Sequence, residues 1–325
     1  MVTRIATATG MAAVTAIALA AVAGCSSSSS SSSSAPSSPA ASASSASNPL
    51  SGGSGGSGSV VVGSANFPES ELLAEVYAIA LQDKGVKATT KLNIGNREVY
   101  YPQIVKGAIT IFPEYNGELL SVEVDKTSTA KTTAAVDAAL TAKLPSTLEI
   151  LNPAPAQDSD SVTVTAATAA KDHLKTIADL APYAKDWTFG APSEFKTRPD
   201  GLPGLKATYG LTFKGFDPLD ESGPITLSAL TGGKVQAADV FTTTPQIITD
   251  HLVSLADPKF NFAAQNVIPL VYKPGVNSKV TSVLNEISAK LTTPGLLAMD
   301  KAIIIDKDPY AAVAAGWLKA VGIKS

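Results

Sequence analysis

Arginine is scarce in this chain, and its two late positions are the first candidates for ligand chemistry. Only Arg4, Arg97 and Arg198 occur among 325 residues, and lysine supplies the other basic side chains. A guanidinium presents a rigid planar fork of donors that can grip both oxygens of a carboxylate. Arg198 is therefore a candidate for binding an anionic group, with pairing to nearby acidic side chains as the alternative. We expect Arg97 to brace its own loop through Glu98 or Glu114.

Polar and aromatic loops follow three short apolar strands between residues 60 and 118. They contain Asn66 and Phe67, then Arg97 to Tyr101, then Pro113 to Gly117. In an open α/β sheet, the loops at the carboxyl ends of the strands lie together and form small-ligand sites. The first loop leads into a helix whose free N–H groups suit a carboxylate or a carbonyl. We expect Tyr115 to be exposed in a rigid turn and to line the same cleft.

Patterns typical of catalysis are missing from the sequence. His173 and His251 stand alone without metal-ligand spacing, and Cys25 is the single cysteine. Glycine-rich matches to nucleotide and nucleophile motifs fall at residues 52–58, where no strand precedes them. The net charge of −3 gives no basic face for nucleic acid. We therefore predict a binding protein that is not an enzyme and that uses no metal, no cofactor and no nucleic acid.

Residues 1–25 have the features of an export signal. Arg4 precedes an apolar stretch at 11–23, which is shorter than the about 20 residues that span a bilayer. Small residues lie directly before Cys25, as in the lipobox of bacterial lipoproteins. We expect lipidation of Cys25 and anchoring at the extracytoplasmic face of the cell membrane, with an ordinary secretory signal as the alternative. Residues 26–59 are uncharged and rich in Ser and Gly, so we predict a disordered tether.

Strands and helices alternate through the rest of the chain, which predicts an α/β fold. Predicted strands lie at 60–62, 91–94, 109–112, 161–165, 188–190, 237–241, 252–255 and 267–271. Two crossings, near 152–161 and 265–271, predict two lobes. Lobe 1 comprises residues 60–156 and 267–325, and lobe 2 comprises 157–266. Each is expected to be a mainly parallel sheet flanked by helices, and a two-strand hinge would permit closure around a ligand.

Two further features concern lobe 2. A helix–strand–aromatic pattern at 105–112 recurs at 230–241, which suggests that the lobes are built alike. The opposing wall of the cleft is predicted from two of its loops. The first contains Phe195, Lys196 and Arg198, and the second runs from Phe241 to Thr244.

Five segments in order resemble the substrate-binding lipoproteins of osmoprotectant ABC importers, which bind glycine betaine, choline or carnitine. The segments are residues 63–67, 97–100, 113–117, 194–201 and 265–271. The resemblance implies a type 2 periplasmic-binding-protein fold. It also implies capture of a small solute between two lobes and delivery to permease and ATPase subunits. In that family, aromatic rings cage a quaternary ammonium by cation–π attraction.

The resemblance implies roles for individual residues. Tyr115 matches a cage tyrosine, and Arg198 matches the arginine that holds a ligand carboxylate. Ala65 stands where many members have lysine, and Lys196 where many have a cage tyrosine, so a neutral or anionic solute that stacks on aromatic rings stays open as the alternative ligand. The alternative roles are a sensor or adhesion module, or an enzyme on this scaffold, and we expect a monomer. The predicted ligand-binding residues are Asn66, Phe67, Tyr115, Phe195, Lys196, Arg198, Phe241 and Thr244.

Overall fold

The computed structural model describes residues 59–324, and within them ten strands form two five-stranded sheets. The predicted export signal, Cys25 and residues 26–58 of the predicted tether lie outside the described residues. The strands are β1 (Val60–Gly63), β2 (Ala88–Lys91), β3 (Ile111–Tyr115), β4 (Leu148–Ile150), β5 (Val162–Thr165), β6 (Thr188–Ala191), β7 (Gly215–Pro218), β8 (Ala237–Asp239), β9 (Leu252–Ser254) and β10 (Val267–Tyr272).

The same connectivity builds both sheets. The order is β2-β1-β3-β10-β4 in lobe 1 and β7-β6-β8-β5-β9 in lobe 2. The first three strands of each order are parallel, and the crossing strand, β10 or β5, is antiparallel to both of its neighbours. Each sheet therefore contains both parallel and antiparallel pairs. The crossing strand comes from the other lobe and enters the sheet at the hinge end, so it runs opposite to its neighbours.

Helices cover both sheets, and none of those within residues 59–324 is long and apolar enough to cross a membrane. They are α1 (Pro68–Asp83), α2 (Arg97–Val105), α3 (Asn116–Glu118), α4 (Thr133–Lys143), α5 (Ala166–Asp172), α6 (Leu202–Tyr209), α7 (Pro224–Thr231), α8 (Gln246–Thr249), α9 (Ser278–Lys290), α10 (Thr293–Ile304) and α11 (Tyr310–Ala320). Helices α2 and α7 precede β3 and β8, the middle strands of the two sheets, so the repeated sequence pattern marks equivalent places.

Apolar strands form the centre of each lobe. All five side chains of β3 and five of the six in β10 are buried. Helix α1 begins with Pro68, which suits the first turn of a helix, and buries Leu72 and Val76 against the sheet. Its amphipathic neighbour α9 buries Val280, Leu284 and Ile287. These cores fix the strand ends that carry the polar loops.

The two crossings run side by side as a hydrogen-bonded ribbon. The amide of Val267 donates to the carbonyl of Ala156 at 3.0 Å, and the amide of Asp158 donates to the carbonyl of Gln265 at 3.1 Å. An antiparallel bridge pairs Gln157 with Asn266. The predicted two-strand hinge is therefore confirmed.

Two local predictions were wrong, and two elements, β7 and α10, were missed. The strand predicted at 91–94 lies at Ala88–Lys91, because Asn93 and Gly95 adopt positive φ angles of 53° and 130° that end it. The turn predicted at 113–117 is still strand as far as Tyr115. Pro113 lies opposite Pro269 of β10. At these two positions a backbone N–H would point away from the partner strand, so neither proline removes a hydrogen bond between β3 and β10.

Candidate functional site

A small cavity lies where the carboxyl ends of β1 and β3 meet the hinge and the end of β8. We call it the central cavity, and its volume is about 40 Å³. Both lobes and the hinge supply its walls. The side chains that line it and enter the argument are Phe67, Arg97, Tyr115, Glu118, Asp158, Asp160, Arg198, Glu221 and Phe241.

Three aromatic rings meet at the cavity. The ring of Phe67, at the start of α1, lies 6.1 Å from that of Tyr115 and 5.3 Å from that of Phe241, between centroids. Tyr115 ends β3, and Phe241 follows β8, so the two come from equivalent places in the two lobes. The faces of such rings carry negative potential and attract cations.

Arg97 braces the wall of lobe 1, as predicted. Its Nε and Nη2 donate to the two carboxylate oxygens of Glu114 at 2.9 and 3.1 Å, and its Nη1 donates to Glu118 at 3.1 Å. Glu114 is fully buried and also accepts from the Tyr100 hydroxyl and the Tyr115 amide, both at 2.7 Å. This network holds Tyr115 at the cavity.

Arg198 reaches across from lobe 2 to the acidic residues of lobe 1. Its Nε and Nη2 donate to Glu98 at 3.2 and 3.1 Å, and its Nη1 lies 3.4 Å from Glu118. The nearest acidic atom in its own loop, Oε1 of Glu194, is 3.8 Å away. Asp200 instead accepts from the Ser121 hydroxyl at 2.9 Å. The guanidinium fork therefore already grips a carboxylate of the protein, and its contact with a ligand stays a prediction.

A larger cavity of about 170 Å³ adjoins the first, and we call it the side chamber. The two share Phe67, Asp158, Glu221 and Phe241. The other chamber residues that matter here are Glu69, Thr243, Thr244, Asp300, Ile303, Lys307 and Tyr310.

Hydrogen bonds between the lobes close one end of the side chamber. Glu69 of α1 accepts from the hydroxyl of Tyr115 and from that of Thr243, the latter at 2.7 Å. Asp158 in the hinge accepts from the amide of Thr243 at 3.0 Å and from the hydroxyl of Thr242 at 3.1 Å. Thr243 therefore links lobe 2 to both the hinge and α1.

Acidic side chains outnumber basic ones around the two cavities. Six carboxylates line them, against two guanidiniums and the Lys307 ammonium. Burial raises the pKa of Glu221 to about 7. Burial, together with the negative charges of Glu69 and Asp158, raises the pKa of Asp300 well above its usual range. A cation beside these carboxyl groups would stabilise their ionised forms, so the site suits a cation.

Five predicted site residues line the cavities, and three do not. Phe67, Tyr115, Arg198 and Phe241 border the central cavity, and Thr244 borders the side chamber. Asn66 is exposed and lines an outer groove between the lobes.

Phe195 and Lys196 lie away from both cavities. Phe195 is 4% exposed and packs in the core of lobe 2, with ring centroids 5.4 Å from Phe189 and 6.4 Å from Phe262. Lys196 is exposed to solvent. The reason is a 3-10 turn at Ser193–Lys196, which directs its one aromatic side chain inward and its lysine outward.

Sequence reasoning missed the acidic residues of the site. Glu69 follows Pro68 in the first turn of α1, where an acidic residue is common for its effect on the helix dipole alone. Glu221 follows β7, and Asp300 lies in α10, two elements that were not predicted. For α10 a signal existed, since Thr292 caps the helix and Pro294 occupies its first turn.

Comparisons with known proteins agree with the two-lobed architecture. Residues 58–320 match the family OpuAC, described as the substrate binding domain of an ABC-type glycine betaine transport system. The chain is 27% identical over 277 residues to the glycine betaine-binding protein YehZ of Escherichia coli K12, covering 81% of this chain and 90% of that protein.

A second relative is similar in sequence, and a solved structure is similar in fold. A glycine-betaine-binding protein of Pseudomonas aeruginosa is 23% identical over 273 residues, with 79% of this chain and 86% of that protein covered. A crystal structure of a glycine betaine/carnitine/choline ABC transporter superposes with a TM-score of 0.65 at 22% identity, over 81% of this chain and 99% of that chain.

Proposed function

Because the chain belongs to the OpuAC family of substrate-binding domains of ABC-type glycine betaine transport systems, we propose that it captures a small quaternary-ammonium solute between its lobes. Glycine betaine, choline or a related osmoprotectant is the expected solute. A substrate-binding protein of an ABC importer works outside the cytoplasm and serves permease and ATPase subunits. Lipid anchoring at Cys25 and a monomeric state complete the proposal.

The meeting of three aromatic rings with uncompensated carboxylates carries this proposal. A quaternary ammonium has no N–H to donate, so it is held by ring faces and by negative charge rather than by hydrogen bonds. Phe67, Tyr115 and Phe241 offer the rings, and Asp158 and Glu221 lie beside them. An anionic solute would meet the same carboxylates and be repelled, so the alternative of an anionic ligand is not favoured.

The ion pairs that the two arginines already make affect which solute should bind most tightly. Arg97 is held by Glu114 and Glu118, and Arg198 by Glu98. A ligand carboxylate would have to displace one of these pairs, whereas choline carries no carboxylate. The geometry therefore favours choline over glycine betaine.

The lobes supply a route for capture. Tyr115 belongs to lobe 1 and Phe241 to lobe 2, so the rings come together only when the cleft is closed about the hinge ribbon. A solute that contacts both rings therefore stabilises the closed form, which is the form that a hinged binding protein presents to its transporter.

Calorimetry on the full chain with choline, glycine betaine and carnitine tests the proposal. We expect one site, with choline bound most tightly. Replacing Phe241 by Ala should weaken choline binding by about three- to thirtyfold, from the usual strength of a cation–π contact. Phe195→Leu is the matched control, because it alters an aromatic of lobe 2 that lies in the core. It should lower the melting temperature and leave the choline Kd unchanged.

Absence of binding by every quaternary ammonium compound would rule out the proposal. Equal losses from Phe241→Ala and Phe195→Leu would show that the rings named here do not form the cage.

A further inference from the structure

Asp300 is a buried acidic residue of the side chamber, and binding of a quaternary ammonium to the aromatic rings does not explain its presence there. The residue lies in α10, is 1% exposed and lines the chamber. Neither of its carboxylate oxygens accepts a hydrogen bond from a donor group among residues 59–324, although the Glu69 carboxylate lies within hydrogen-bond reach. The nearby hydroxyl of Thr243 has a single hydrogen, which it donates to Glu69. A buried carboxylate without a donor is strongly unfavourable unless a proton or a cation joins it.

The chamber wall brings three carboxylates together from distant parts of the chain. Glu69 comes from α1, Asp158 from the hinge and Asp300 from α10. Within residues 59–324, no group of three His, Cys, Asp or Glu side chains is arranged to hold a metal ion. A protonated amine differs from a metal ion because it brings its own N–H donors, and it can satisfy acceptors at hydrogen-bond distance.

We propose that the side chamber is a second cation subsite, which binds an N–H-bearing ammonium group through Asp300, Glu69 and Asp158. The proposal rests on the proposed function, because the chamber opens beside Phe67 and Phe241 of the aromatic site. The ligand class that fills both cavities is a small organic dication. It has a quaternary ammonium against the rings and a primary ammonium in the chamber.

The size of the side chamber and the charge around both cavities fit such a ligand. The chamber holds about 170 Å³, and a protein cavity of roughly 150 Å³ can hold benzene. Six acidic groups face three basic ones, so with every carboxyl group ionised the two cavities would be three positive charges short. The zwitterion glycine betaine would add no net positive charge to the cavities. Choline would add one positive charge, and a dication would add two.

The alternative to a bound ammonium group is a proton shared between the carboxylates of Asp300 and Glu69. Burial and the neighbouring charge of Glu69 raise the pKa of Asp300. The other titratable or charged groups facing the chamber are Asp158, Glu221, Lys307 and Tyr310. An entering ammonium would replace that proton, so its binding should release protons to the buffer.

The test compares two probes on the full chain by calorimetry. Hydroxypropyl-trimethylammonium and aminopropyl-trimethylammonium differ only in a hydroxyl against a protonated amine. We expect the amino compound to bind about tenfold or more tightly, as is usual for hydrogen bonds to charged groups. Titrations in buffers of different ionisation enthalpy should show that it releases more protons than the hydroxy compound does.

Three variants locate the effect. Asp300→Asn keeps the side-chain shape, can donate an amide N–H to Glu69, and should bring the ratio of the two Kd values close to one. Lys307→Gln removes the positive charge at the rim and should increase the preference for the amino compound. Asp306→Asn is the matched control, because it removes the same charge from an exposed residue paired with Lys301. It should leave the ratio unchanged.

The outcomes separate this inference from the proposed function. Binding of both probes with equal Kd values and no proton release overturns the inference and leaves the aromatic site standing. Diaminobutane serves as a third probe, because it carries primary ammonium groups and no quaternary one; its binding without binding of any quaternary compound supports the chamber and overturns the aromatic site. Failure of every compound to bind overturns both. If Asp300→Asn does not fold, the ratio and the proton release of the unaltered chain still decide the matter.

Discussion

Arg198 of lobe 2 donates two hydrogen bonds to Glu98 of lobe 1, from Nε to Oε1 at 3.2 Å and from Nη2 to Oε2 at 3.1 Å. The two residues lie 100 positions apart and face each other across the cleft. The hydrogen bond from the Thr243 hydroxyl to the Glu69 carboxylate, at 2.7 Å, also joins the lobes. The arginine pair therefore stabilises the closed arrangement, with its carboxylate 41% exposed.

Replacing Glu98 by Gln should loosen closure and weaken solute binding. A partly exposed ion pair contributes roughly 0.2–1 kcal/mol, so the choline Kd should rise by about 1.4- to fivefold. The freed guanidinium of Arg198 can then donate to a ligand carboxylate, and glycine betaine should lose less affinity than choline. Calorimetry with both solutes measures this, and small-angle X-ray scattering should show a larger radius of gyration.

The control for this substitution is Glu149→Gln, which removes the same charge from an exposed position in β4. It should change neither affinity nor scattering. Parallel losses of choline and glycine betaine in Glu98→Gln would show that Arg198 does not turn to the ligand when it is released.

Arg97 should matter for stability more than for ligand choice. Arg97→Met leaves the fully buried carboxylate of Glu114 without its main partner, which typically costs about 3–5 kcal/mol of the free energy of unfolding. Urea unfolding measures the loss. The double variant Arg97→Met/Glu114→Gln should recover much of it, because the remaining amide is neutral. A double variant no more stable than the single one would contradict this account.

Elements with strong local signals could be predicted from the sequence. The sequence predicts a helix at 202–209, and α6 has these bounds, with Pro203 in its first turn and Gly210 at a positive φ of 72° after it. The strand β1 and the two crossings were likewise placed correctly. Periodicity, proline and glycine act over a few residues, so the sequence alone contains the information needed for such elements.

The walls of the site depend on contacts that no local pattern encodes. Phe195 and Phe241 both follow a strand in a polar loop, yet one enters the core and the other the cleft. A single 3-10 turn decides this difference. Glu69, Asp158 and Asp300 lie in three distant segments and meet only in the folded chain, so their shared charge could not be read from their spacing.

The pH dependence of stability follows from Glu221. Burial raises the pKa of this carboxyl to about 7, whereas an unfolded glutamate titrates near about 4.3. Between these values the folded chain holds a proton that the unfolded chain has released. The contribution of this group to stability is therefore fully present below the unfolded pKa and is lost as the pH rises through the folded pKa. Melting temperatures without solute should fall over this range, and by less in Glu221→Gln.

Solute binding should depend on pH in the opposite direction. An ionised Glu221 attracts a cation and a protonated one does not, so the choline affinity should rise by about three- to tenfold from about pH 6 to about pH 8. Asp160, whose pKa burial raises to about 7, lines the same cavity and adds to the trend. Calorimetry across this range measures the change, and Glu221→Gln should flatten it. A choline affinity that falls with rising pH would contradict attraction by these carboxylates, because deprotonation can only add negative charge beside the rings.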